Sequence, residues 1–168
     1  MERFWNIVHY FVYRGVYKFY LLSNKINPFK LIHRLPYLKR LYEKQGINIR
    51  NSIDEAFKRP DIGLSSIWAG AIMYVLVLLI CFGLVNYYSG IMRLDFTLKL
   101  SHFLVLLSIP FVINHFLLFK QNKYLAYFKE FEIIPKEEKK KWAWLSFLII
   151  IGILLFFIGS FVCMSYRL

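Results

Sequence analysis

Residues Ile62–Met92 read IGLSSIWAGAIMYVLVLLICFGLVNYYSGIM, thirty-one positions without a charged side chain. A hydrocarbon core about 30 Å thick is crossed by about 20 apolar helical residues. This run exceeds that length, and it predicts a membrane-spanning helix at about 64–88. Two later stretches have the same character: Leu100–Phe119, held between Lys99 and Lys120, and Trp142–Tyr166, held between Lys141 and Arg167. The expected architecture is an all-α integral membrane protein. Its three-span bundle occupies 62–168, with spans at about 64–88, 100–119 and 142–166 and a cytosolic loop at 120–141. A basic, aromatic-rich amphipathic helical segment at 1–61 precedes it on the cytosolic side.

The bulk composition fits one such unit. Across 168 residues 58% are hydrophobic, and lysine and arginine outnumber acidic residues 22 to 10. In a soluble chain that excess would raise nucleic acid as a partner. Here it flanks the spans, where cations favour anionic lipid headgroups and set orientation. Nucleic acid is therefore not expected, and the lipid bilayer with its anionic headgroups is. Cys81 and Cys163 both fall within spans and read as polarizable packing residues. The first twenty residues carry Glu2, Arg3, His9, Arg14 and Lys18 among the apolar ones, so no uninterrupted signal-peptide core forms.

Lysines and arginines number twelve in 1–61, two in 89–99, seven in 120–141 and one after Tyr166. Positive charge marks the cytoplasmic side. The N-terminus and the second loop are expected inside, and the first loop and the C-terminus outside, in a multi-pass protein of the plasma (inner) membrane. Trp68, Trp142 and Trp144 then fall at the inner boundary, and Tyr87, Tyr88 and Tyr166 at the outer one, where amphipathic rings anchor helices.

Glu2–Leu22 is too interrupted by charge to span a membrane and too aromatic for water. It is expected to lie in plane at the headgroup boundary; the competing arrangement is a helix packed on the protein's own cytosolic elements. After a break expected over Ser23–Pro28, with Asn27-Pro28 as its turn signal, Leu31, Leu35, Leu38 and Tyr42 recur at steps of four, three and four. Lys30, Arg34, Lys39, Arg40 and Lys44 occupy the remaining positions, so this is a basic amphipathic helix and a candidate lipid- or partner-binding face. Ser52-Ile-Asp-Glu55 matches a capping box, predicting a short helix from there to just before Pro60.

Within the first span, Ser66 and Gly70 have the small-residue spacing that lets helices approach closely. The second span is the most polar. Ser101, Ser108 and His115 are seven apart and so nearly in line, with Asn114 beside them, His102 at the start and Pro110 between. This stripe is expected to face the bundle, because hydrocarbon cannot satisfy such groups. It reads as hydrogen-bonded glue between helices, or alternatively as a pathway for a proton, ion or small ligand in which His115 titrates. The loop that follows places Tyr124, Tyr127, Phe128 and Phe131 on one helical side. Pro135 with Glu137 and Glu138 marks the start of a third helix long enough to project beyond the lipid. Gly152, Gly159 and Cys163 form its small face, where the stripe of the second span is expected to pack.

No HExxH, metal-spaced cysteine pair, phosphate-cradling glycine loop or serine elbow occurs. His102 and His115 are thirteen residues apart on one helix, about 20 Å, and cannot share a metal. No catalytic residue, metal or cofactor is expected. The functional expectation is a non-enzymatic interaction role, as an accessory, anchoring or immunity-type subunit with a protein partner or as a homo-oligomer. The alternative is a component of a small oligomeric channel or transporter lined by Ser101, Ser108, Asn114 and His115.

Overall fold

The computed structural model describes residues 1–26, 44, 49–93 and 99–166. Among them the regular elements are all helical. They are α1 (Glu2–Ile26), α2 (Ile49–Lys58), α3 (Leu64–Ile91), α4 (Leu100–Asn114), α5 (Lys123–Ile133) and α6 (Lys136–Tyr166). Among the described residues three helices are long and apolar enough to cross a membrane: α3, the run Leu100–Ile133 that begins with α4, and α6. The chain forms two compact units, one of residues 1–11 with 70–168 and the other of residues 12–69.

In the larger unit many large apolar side chains of the long helices face outward, and α6 in addition keeps small or polar ones inward. On α6, Leu148, Leu155, Ile158 and Phe161 are exposed, while Ser146, Ser160 and Cys163 are buried. Only 28%, 22% and 11% of the most apolar window of the three long helices is buried. This inverts the pattern of a protein folded in water, where burial of apolar surface supplies the driving force.

Helices α3 and α6 meet through that small face. A Cβ on Gly90 would sit 2.9 Å from the Cys163 carbonyl oxygen, and one on Gly159 would sit 2.8 Å from the Tyr87 hydroxyl. Asn86 Nδ2 donates to Ser160 Oγ at 3.2 Å, and Ser160 Oγ in turn donates to the Phe157 carbonyl at 2.6 Å. The sequence expectation paired the third span's small face with the stripe of the second. Instead the partner is α3, because Gly83 and Gly90 let its backbone come closest. Helix α4 joins α3 where Tyr74 donates to the Leu107 carbonyl at 2.6 Å. Pro110, inside the same helix, lacks the N–H that would bond the Leu106 carbonyl one residue earlier.

The second apolar run does not continue as one regular helix. His115–Phe119 is a π-helical turn and Lys120–Asn122 a 3₁₀ turn. Gln121 and Asn122 adopt φ of 59° and 53°, a left-handed pair that redirects the chain into α5. Helix α6 starts one residue after Pro135, as the proline and the carboxylates Glu137 and Glu138 predict. Its 31 residues measure about 46 Å at a 1.5 Å rise.

In the smaller unit, the second half of α1 packs on α2. The Tyr20 ring stacks on Phe57 with centroids 3.7 Å apart, its hydroxyl donates to Asp54 at 2.7 Å, and the Tyr13 hydroxyl donates to the Lys58 carbonyl. Helix α2 begins at Ile49, three residues before the expected cap. Ser52 therefore lies inside it. A four-residue capping pattern is a local signal, and packing through Phe57 and Asp54 outweighs it. Gly63 then closes the turn into α3, its N–H donating to the Arg59 carbonyl at 3.0 Å. A side chain at Gly63 would collide with that same oxygen.

Candidate functional site

The densest convergence of polar and aromatic side chains in the larger unit lies where residues 2–11 meet the end of the second apolar run and α5. It is built from two matched stripes. On α1, Glu2, Asn6, His9 and Tyr13 follow at steps of four, three and four, and the first three face this site. On α5, Tyr124, Phe128 and Phe131 do the same, and all three are buried.

Trp5 Nε1 donates to Asn114 Oδ1 at 2.9 Å, and Asn6 Nδ2 donates to the Leu117 carbonyl at 2.9 Å. That carbonyl sits in the last turn before the chain breaks, where a helix has no donor of its own to offer. The rim carries two ion pairs, Arg3 with Glu130 and Lys123 with Glu2, each at 2.7 Å. An exposed pair such as Arg3 with Glu130 adds about 0–1 kcal/mol, so the rim sets register more than stability. The Lys123 ammonium, together with the Tyr127 hydroxyl, holds the Glu2 carboxyl below its ordinary pKa, while burial and the Glu2 charge push the Tyr127 phenol up.

His9 lies at the centre. Its ring is fully buried, with centroids 5.2 Å from Phe128, 5.6 Å from Tyr124 and 6.1 Å from Phe119. Neither ring nitrogen has a hydrogen-bond partner among the described residues. Burial lowers its pKa from 6.5 to about 4, so the imidazole is neutral at physiological pH. A buried, uncharged histidine among aromatic rings packs as an aromatic. Among the described residues no group of three or more histidine, cysteine, aspartate or glutamate side chains could hold a metal ion.

The polar stripe of the second span is divided. Asn114 is buried and bound to Trp5, whereas Ser101, Ser108 and His115 are exposed. The expectation that this stripe faces the bundle is thus corrected for three of its four members. The face turned inward is Leu106, Pro110, Asn114 and Leu118, spaced by four. Ser108 satisfies its hydroxyl within its own helix, donating to the Val105 carbonyl at 2.8 Å. It therefore needs no partner across the bundle. His115 lies between Phe111 and Phe116, its ring stacked against the first and edge-on to the second.

The candidate face formed by Lys30, Leu31, Arg34, Leu35, Leu38, Lys39, Arg40 and Tyr42 lies outside the described residues. Of that set Lys44 alone is described, and it is exposed. The headgroup expectation for Glu2–Leu22 is corrected over its first half, which packs on the protein's own elements. The sequence did not single out Trp5, Asn6 or Tyr10. The signal that could have found them is the step pattern of α1 set beside the aromatic stripe of α5. No protein-family model, curated protein or solved structure matches the chain.

Proposed function

We propose that this chain is a multi-pass protein of the plasma (inner) membrane, N-terminus cytosolic and C-terminus outside, with a non-enzymatic interaction role as an accessory, anchoring or immunity-type subunit. The carrying observation is the fixing of residues 2–11 onto α5 and the end of the second apolar run. Two part-buried side-chain hydrogen bonds, two ion pairs and an aromatic cluster serve to hold one rigid helical pair at the end of the bundle. Rigid, pre-ordered surfaces lower the entropic cost of holding a partner. The outward turn of leucine, isoleucine and phenylalanine on the long helices supports lipid as their surroundings. The charge count of seven cations in 120–141 against two in 89–99 supports the orientation.

The test is stoichiometric co-purification of a second protein from native membranes. Trp5→Ala with Tyr10→Ala should abolish it while the chain stays resistant to carbonate extraction. Absence of any stoichiometric partner, or a partner indifferent to these changes, refutes the interaction role.

A second reading is favoured by one observation. Ser101, Ser108 and His115 are exposed on a single chain, and polar groups on an apolar helix gain from meeting their counterparts in neighbouring copies. A small oligomeric channel lined by that stripe would give a liposome flux that disappears in His115→Ala.

A further inference from the structure

We propose that the outward face of α1 between Arg14 and Ile26 docks on the anionic phospholipid headgroups of the bilayer in which the chain's own apolar helices sit. The proposal rests on the membrane reading given above, and it names what the second half of α1 contacts.

Arg14, Lys18, Leu21 and Lys25 follow at steps of four, three and four and so form one line along the helix. Phe19, Leu22 and Ile26 form a second line beside it. All seven are exposed, and the apolar three conspicuously so, at 72%, 59% and 85%. The segment Arg14–Ile26 contains three cations and no carboxylate. A bilayer surface presents anions and, just beneath them, an apolar phase. That is the same pairing this face presents, cations along one edge and bulky apolar groups along the other.

The rotation of the helix is fixed by its opposite side, where Tyr20 stacks on Phe57 and bonds Asp54, and Tyr13 bonds the Lys58 carbonyl. Its level is fixed as well. The helix it packs on ends at Lys58, and α3 begins at Leu64 after a turn bonded from Gly63 N–H to the Arg59 carbonyl and from Ile67 N–H to the Gly63 carbonyl. One turn into α3, Ile67 and Trp68 are exposed, and tryptophan marks the boundary between headgroups and hydrocarbon. Within this unit α1 is therefore tethered close to the point at which the first apolar helix enters lipid. A partner protein would need a surface matching both lines, whereas the membrane is already there.

The test uses the full chain with Cys81→Ser and Cys163→Ser, reconstituted in phosphatidylcholine vesicles or in vesicles of equal parts phosphatidylcholine and phosphatidylglycerol. Spin labels are placed at Leu22→Cys or, separately, Leu154→Cys, and collisions with oxygen and with a water-soluble nickel chelate are compared. The expected result is a label at position 22 several-fold better shielded from nickel in the anionic vesicles, with Lys18→Glu plus Lys25→Glu removing the difference. Three results overturn the proposal: equal nickel access in both vesicle types; shielding that charge reversal leaves intact, meaning a cover other than anionic lipid; or spin–spin broadening at position 22, meaning a second copy on this face. The label at position 154 reports separately. If nickel reaches it, the membrane reading itself has failed; if it stays shielded in the charge-reversed variant, the fold is intact and the result at position 22 stands.

Discussion

Acidification should weaken the attachment of residues 2–11 through His9, and the size of the effect follows from its surroundings. The imidazole is buried among Phe119, Tyr124 and Phe128 and has no acceptor for a second proton among the described residues. Tyr124 is the one titratable group whose ring touches it in these contacts, and the charged pairs Arg3 with Glu130 and Lys123 with Glu2 lie on the more exposed rim. The folded pKa of about 4 lies below the unfolded 6.5, so in this window the unfolded chain binds more protons than the folded one. Stability is then constant above about pH 6.5, declines as pH falls toward 4, and levels off below that. A shift of this size, at 1.36 kcal/mol per unit, amounts to about 3 kcal/mol in all. The measurement is thermal or denaturant unfolding in detergent micelles from pH 7.5 to 4.5, wild type against His9→Phe, which keeps the ring and removes the titration. Carboxylates such as Glu2 and Asp61 titrate in both proteins and cancel in the difference. Wild type should lose about 2.5 kcal/mol more than His9→Phe between those limits; parallel pH profiles would refute the argument.

Trp5→Phe removes the donor to Asn114 Oδ1 and leaves a buried amide oxygen unpaired, so unfolding should become easier by about 1–3 kcal/mol, read in the same micelle assay. Gly90→Ala sets a methyl 2.9 Å from the Cys163 carbonyl and should destabilise the contact of α3 with α6 by about 1–3 kcal/mol. Gly152→Ala meets nothing within 4 Å and should stabilise α6 by about 0.5–1 kcal/mol; the opposite order for these two variants would contradict the packing. A reporter fused after Leu168 should be active outside the cytosol and one inserted near Lys129 active inside, and the reverse pair would invert the proposed orientation.

The three long helices were legible because hydrophobic length is a local property. Each apolar run is bounded by charged residues, and neither its extent nor its helicity depends on any other part of the chain. The start of α6 at Lys136 was legible for the same reason, since Pro135 and the carboxylates after it act within one turn. Which face of each helix turns inward was not legible. Ser101, Ser108 and His115 form an obvious line in sequence, yet a serine that bonds its own helix loses nothing by facing out. Leu106, Pro110 and Asn114 were drawn inward because Trp5, more than a hundred residues earlier, supplied the matching donor.

The same division holds for α1. Composition established that Glu2–Leu22 is helical, basic and aromatic, which favoured lipid as its cover and left the protein's own elements as the competing one. Tertiary contact separated the two halves: residues 2–11 found the aromatic stripe of α5, and Tyr13 and Tyr20 found α2. Sequence determines what each segment is able to bury, because that follows from its own side chains. What it does bury depends on a second surface of the right shape and polarity, and only the folded chain brings that surface within reach.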